Sequence, residues 1–149
     1  MHCSLSNILL MTTYWGWIVQ DEELQLLADQ RLAEAKKLFN DGEWHDCHDL
    51  FEELWHETCG PMRPVLQGIL QVAVAQLHLE RGNGRGAMIL FGEGLGRLQT
   101  CGDQALEIPL EPLRSCIRSR LQALQGDQPL EDLPIPHLGQ GRGGEAHNL

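Results

Sequence analysis

Positive charge is scarce in this sequence: 11 Lys and Arg stand against 21 Asp and Glu, a formal net charge of −10. The deficit is local. Between Asp21 and Glu57 there are twelve acids and only three bases, Arg31, Lys36 and Lys37, while the rest of the chain is nearly balanced at nine acids and eight bases. An acidic first helical pair repels a phosphate backbone, which excludes bulk nucleic-acid binding and suits a cation or a basic partner. The plain alternative is a solvated face that keeps the protein soluble. The five cysteines, Cys3, Cys47, Cys59, Cys101 and Cys116, are odd in number and lack a C-x-x-C pair. Neither a disulfide framework nor a zinc knuckle is indicated, and a reducing, cytoplasmic setting is expected.

Long hydrophobic runs are also lacking. The apolar run from Ile8 to Val19 is too short to span a bilayer, and it has neither a basic flank nor an A-x-A-type cleavage site. Residues 1–20 are therefore expected to be a poorly ordered leader, or sequence upstream of an alternative start at Met11. Val65 to Leu79 is interrupted by Gln67, Gln71, Gln76 and His78, which makes it a core helix and not a membrane span. What remains, 42% apolar and 21% charged over 149 residues, is the composition of an ordinary globular protein. One domain of this length buries roughly two-thirds of its extended surface.

The apolar spacing predicts an all-α fold, a compact bundle of about five helices over residues 21–126. Acids at 21–23 open the first helix, which the positions of Leu24, Leu27, Arg31, Ala35 and Leu38 carry to Asn40. Asn40-Asp41-Gly42 supplies a turn, and Trp44, Cys47, Phe51, Leu54 and Trp55 then mark a second helix to about Thr58. Gly60-Pro61 breaks it. A third helix, Met62 to Arg81, carries Pro64 in its first turn and is apolar on most sides, so it is the buried central element. Gly82 ends it, and Asn83 caps a fourth helix reaching about Thr100, weakened by Gly92, Gly94 and Gly96. A fifth helix covers Glu111 to Gln125, and residues 127–149, rich in Pro, Gly and charge, are expected to be extended or disordered. No alternating strand pattern is visible.

On a helical wheel His48 lies just inside one border of the second helix's apolar arc and Glu52 just outside it. Their i, i+4 spacing lets carboxylate and imidazole meet, where the carboxylate can orient the ring or share a metal with it. His45 and His56 fall on the solvent side. On the third helix Gln67, Gln71 and His78 fall within roughly 40° of one another. Buried amides need partners, and the economical arrangement packs this stripe against His48 and Glu52. The centre so formed is a satisfied structural network, a metal-free acid/base or ligand pocket, or a divalent-metal site. For the last, His48, Glu52 and His78 are suitable ligands for zinc, iron or manganese. No H-E-x-x-H is present, because Asp49 follows His48, so the zinc-protease helix is excluded. The segment Gly92-Glu93-Gly94-Leu95-Gly96 follows no strand and lacks dinucleotide-loop spacing. Cys47 reads as a small core residue.

Gly42 to Leu54, GEWHDCHDLFEEL, resembles the turn and second helix of a tetratricopeptide unit, which implies helix-turn-helix packing. A more specific resemblance covers about Leu32 to Leu98. LFNDGEWHDCHDLFEELW followed by RPVLQGILQVAVAQLHLERGNGRGA is similar to domain-of-unknown-function family 309. His48 and Glu52 match that family's histidine and second glutamate, and Trp55 its last aromatic. Gln67, Gly68 and Gln71 match its glutamine segment, and Arg81, Gly82, Asn83, Gly86 and Ala87 its turn into the fourth helix. The chain departs in having Asp49 for the usual glutamate and Phe51 for the usual tryptophan. The resemblance implies an all-helical fold with a polar centre at His48, Glu52 and the glutamines, and it implies no established activity.

Two functional expectations follow. One is a non-enzymatic interaction or scaffold module for a protein or small-molecule partner, its polar centre being His48, Glu52, Gln67, Gln71 and His78. The other is a metal-dependent or acid/base enzyme of hydrolytic type using His48 and Glu52. Homodimerisation through the glycines of the fourth helix is a further expectation.

Overall fold

Asp29 divides what the apolar spacing presents as one helix. The computed structural model describes residues 21–139; the expected leader, 1–20, and residues 140–149 of the expected tail lie outside the described residues. Helix α1 (residues 21–27) stops, and Asp29, in an extended conformation at φ −83 and ψ 122, N-caps α2 (Gln30–Asn40) by accepting the Arg31 N–H. Leu24, Leu27, Arg31, Ala35 and Leu38 keep spacings of three and four residues across the break, which is why spacing alone does not reveal it, although Leu26 and not Leu24 is buried.

The following helices are α3 (Trp44–Glu57), α4 (Arg63–Glu80), α5 (Gly84–Leu98) and α6 (Leu110–Gln125). Each sits within a few residues of its expected bounds, and the fold is all-α. From α2 onward each helix packs mainly on its neighbour in the chain, with α3 and α5 flanking α4. Nine residues of α4, from Val65 to Gln76, are buried, so it is the central element the sequence indicates. Among the described residues no helix is long and apolar enough to cross a membrane.

Close approach of α5 to α4 depends on two glycines. A Cβ on Gly68 would stand 2.7 Å from Leu98 Cγ, and one on Gly94 would stand 3.0 Å from the Gly68 carbonyl oxygen. Gly92 and Gly96, on the same helix as Gly94, face open space. Thus only Gly94 of the three serves the intramolecular interface.

A small hairpin corrects the expectation of no strands. Strands β1 (Gln104–Ala105) and β2 (Ile108–Pro109) pair antiparallel through Gln104↔Pro109 and Ala105↔Ile108. Its turn residues, Leu106 and Glu107, both adopt left-handed backbone, φ 54 and φ 59, with no glycine or asparagine to announce it. The strain is offset by anchoring: Leu106 is fully buried, its N–H donates to Glu23 Oε2 at 2.6 Å, and its carbonyl accepts from Lys36 Nζ at 3.1 Å.

Residues 127–139 form neither helix nor strand. They cross α6, where the Pro134 carbonyl accepts from Arg120 Nη1 at 2.7 Å, and reach the end of α2, where Leu138 is fully buried.

Candidate functional site

Helix α3 buries Trp44, Cys47, Phe51 and Leu54 and exposes His45, Asp46, Asp49, Glu53, His56 and Glu57. Burial pushes the Cys47 thiol up to about 12, so it is a core residue and not a nucleophile. His48 and Glu52 stand on the border of the two faces, with side chains 26% and 45% exposed. His48 Nε2 lies 3.9 Å from Glu52 Oε2, longer than a hydrogen bond, whereas its Nδ1 lies 3.2 Å from Asp49 Oδ1. The adjacent aspartate therefore holds the ring more closely than the glutamate one turn on.

The Arg31 guanidinium gathers the carboxylates at one end of this face. It donates to Asp29 Oδ2 at 2.8 Å, Glu57 Oε1 at 2.8 Å and Glu53 Oε1 at 3.2 Å. These bonds hold the Asp29 and Glu57 carboxyls below their ordinary range and raise the arginine further. Arg63 closes the carbonyl end of α3, donating from Nη1 to the Trp55 and Thr58 carbonyls at 2.8 and 2.9 Å while stacking 4.4 Å from the Trp55 ring centre.

The polar stripe of α4 has partners elsewhere. Gln71 Nε2 donates to Glu93 Oε1 at 3.0 Å and its Oε1 accepts from Arg97 Nε at 3.1 Å, so the amide ties α4 to α5. Asn83 Oδ1 accepts the Gly86 N–H at 2.9 Å, which fixes the amide orientation and leaves Nδ2 to donate to His78 Nδ1 at 3.0 Å. Neutral His78 thus carries its proton on Nε2. A Cβ on Gly86 would stand 2.5 Å from Asn83 Nδ2, so glycine there is a condition of the contact. Gln67, one turn before Gln71, is half-buried.

Of the expected centre, the structure sets His48 and Glu52 side by side on α3 and ties Gln71 and His78 to other groups. The partners of Gln71 and His78 are α5 and its cap, and His48 and Glu52 are not among them. Among the described residues no three His, Cys, Asp or Glu side chains come together as a metal-holding group. The helical wheel gives each residue's angle, and it cannot say which neighbouring helix will face that angle.

Sequence reasoning also passed over several polar groups. Gln76 is 6% exposed, and its buried Oε1 has no hydrogen-bond partner among the described residues. It lines a cleft of about 450 Å³ with Asn40, Trp44, Glu80 and residues 135–137. Arg114, 7% exposed, donates from Nη1 to the carbonyls of Leu98 and Gly102 at 2.9 and 2.8 Å, closing the carbonyl end of α5. Gln76 was visible as a polar break in an apolar run; nothing local marks Arg114.

Residues 32–90 match the family described as Domain of unknown function (DUF309), as the motifs in α3, α4 and the turn into α5 had indicated. The matched span contains His48, Glu52, Gln67, Gln71 and His78. No curated protein matches the chain.

Proposed function

We infer that this chain, carrying a segment that matches DUF309, is a non-enzymatic helical interaction module whose His48 and Glu52 lie at the edge of an acidic contact face. The observation that carries the reading is where the motif residues are spent. Gly68, Gln71, Asn83 and Gly86 all serve the joining of α4 to α5 or the cap between them. That use leaves His48 half-open between Asp49 and Glu52, and among the described residues no three His, Cys, Asp or Glu side chains form a metal-holding group. A reaction centre needs its acid, base and binding groups within reach of one atom. A contact face needs only exposed chemistry on a rigid support, and α3 supplies both. The partner is a protein or small molecule bearing positive charge, which the excess of acids between Asp21 and Glu57 favours.

The rival is a metal-dependent or acid/base enzyme using His48 and Glu52, and metal analysis of protein purified without a histidine tag separates the two. Near-stoichiometric zinc, iron or manganese that disappears in His48→Ala sinks the interaction-only reading. Metal-free protein, with His48→Ala and Glu52→Ala changing only the melting temperature, supports it. The open space beside Gly92 and Gly96 leaves a surface for a second copy of the chain, and sedimentation that gives a monomer mass at all concentrations would remove that possibility.

A further inference from the structure

We propose that the surface from α6 to the end of α2, covered here by residues 134–138, is a groove for an extended proline-containing peptide of a partner protein, with the chain's own segment seated as a stand-in. Two features of the seated segment define the ligand. Its main chain is held by side chains alone: the Pro134 carbonyl accepts from Arg120 Nη1 at 2.7 Å and Cys116 Sγ at 3.3 Å. The Leu138 N–H donates to Asn40 Oδ1 at 2.7 Å, and its carbonyl accepts from Asn40 Nδ2 at 3.2 Å. Such contacts read the backbone of any extended chain. Its side chains alternate, with Pro136 and Leu138 buried and Ile135 and His137 exposed. Two inward pockets spaced by two residues select a Pro-x-Leu pattern, as in other grooves that take peptides in extended form.

The walls hold more hydrogen-bonding capacity than the segment uses. Arg120 Nε and Gln76 Oε1 are both buried with no hydrogen-bond partner among the described residues. Gln76 lines the cleft that runs alongside residues 135–137, with Asp41 and Glu80 at its rim. Asp41 is already paired with Lys37 Nζ at 2.8 Å, so a partner peptide that places a donor toward Gln76 and a basic side chain toward Glu80 gains contacts the seated segment does not make. Unpaired buried polar groups are costly, so a ligand that satisfies them has an advantage over one that does not. The inference rests on the interaction-module reading, but its test touches neither His48 nor Glu52.

The tether gives the seated segment an effective concentration on the order of millimolar, which masks the groove. The probe is a fluorescein-labelled peptide with the sequence of residues 130–139, titrated by polarisation into the full chain. Leu138→Asp should expel the chain's own segment and tighten peptide binding at least tenfold over the unaltered protein. Adding Asn40→Ala to Leu138→Asp should reverse that gain. Should Leu138→Asp fail to fold, excess unlabelled peptide added to the unaltered protein should shift the Leu138 and Asn40 amide resonances. Folded Leu138→Asp that binds no tighter, binding indifferent to Asn40→Ala, or unshifted resonances overturn the proposal. Dimers abolished by Leu138→Asp, without peptide binding, also overturn it, since they assign the groove to tail exchange between copies of this chain.

Discussion

The amide of Asn40 meets the main chain of Leu138 twice, Oδ1 taking its N–H at 2.7 Å and Nδ2 giving to its carbonyl at 3.2 Å, across 98 residues of sequence. One side chain thus does for the tail what a neighbouring strand would do in a sheet. Replacing it with alanine leaves both Leu138 groups unpaired beside a buried side chain. Asn40→Ala should lose about 1–3 kcal/mol in urea unfolding, with faster hydrogen exchange confined to the tail. An unchanged midpoint would show that the pair contributes nothing.

Gly92, Gly94 and Gly96 of α5 should respond in opposite directions. At Gly94 an added methyl meets the Gly68 carbonyl oxygen at 3.0 Å and Val72 Cγ2 at 3.2 Å, so Gly94→Ala should destabilise by about 1–3 kcal/mol. Gly92 and Gly96 meet nothing within 4 Å, and alanine at either should stabilise by about 1 kcal/mol through helix propensity. Thermal melts of the three single variants decide this, and a uniform response would contradict the packing.

Arg114 Nη1 bridges two carbonyls, that of buried Leu98 and that of exposed Gly102, with its Nε 3.0 Å from Glu111 Oε1. Arg114→Met should cost about 2–3 kcal/mol, because the carbonyls of Leu98 and Gly102 lose their donor. Lysine keeps the charge without the fork and should restore only part of it. Full rescue by lysine would mean that charge, and not geometry, matters there.

Gln76 should behave differently from a satisfied buried amide. Its Oε1 has no partner among the described residues, so Gln76→Leu removes an unpaired acceptor while keeping most of the volume. The expected result is a melting temperature equal to or above that of the unaltered protein. A marked loss would reveal a bond from Gln76 that the structure does not contain.

Acid should loosen the junction of α2 with α3. Bonds from Arg31 depress the folded-state pKa of Asp29 and Glu57 below ordinary values of 3.8 and 4.5. Stability from a depressed carboxyl is present above its unfolded value and is lost as pH falls through the folded one. The loss therefore begins below about pH 4.5 and should shrink in Arg31→Ala, which can be followed by melts between pH 6 and pH 2.5. Equal acid sensitivity in the two proteins would remove Arg31 from the account.

Much of the fold was legible because its boundaries are local. Gly42 at φ 78 and Gly82 at φ 74 sit where the sequence placed turns, and Asn83 caps α5 as read. The break at Asp29 was not legible, since Leu24, Leu27, Arg31, Ala35 and Leu38 keep spacings of three and four residues across it. The Leu106–Glu107 turn escaped notice because its left-handed residues are held by Glu23 and Lys36, far away in sequence. His48 and Glu52 were found as a pair on one helix face. The bonds of Gln71 to α5 and of His78 to its cap could not be found that way, because the wheel of one helix does not name partners outside it.

By itself the sequence determined the all-helical class, the central place of α4 and the border position of His48, because helix periodicity and turn chemistry act over a few residues. Tertiary structure alone decided which helix the α4 amides face, that Gly94 packs while Gly92 and Gly96 do not, and that Leu138 docks on Asn40. Those outcomes depend on how close two distant segments come, and no local pattern encodes that distance.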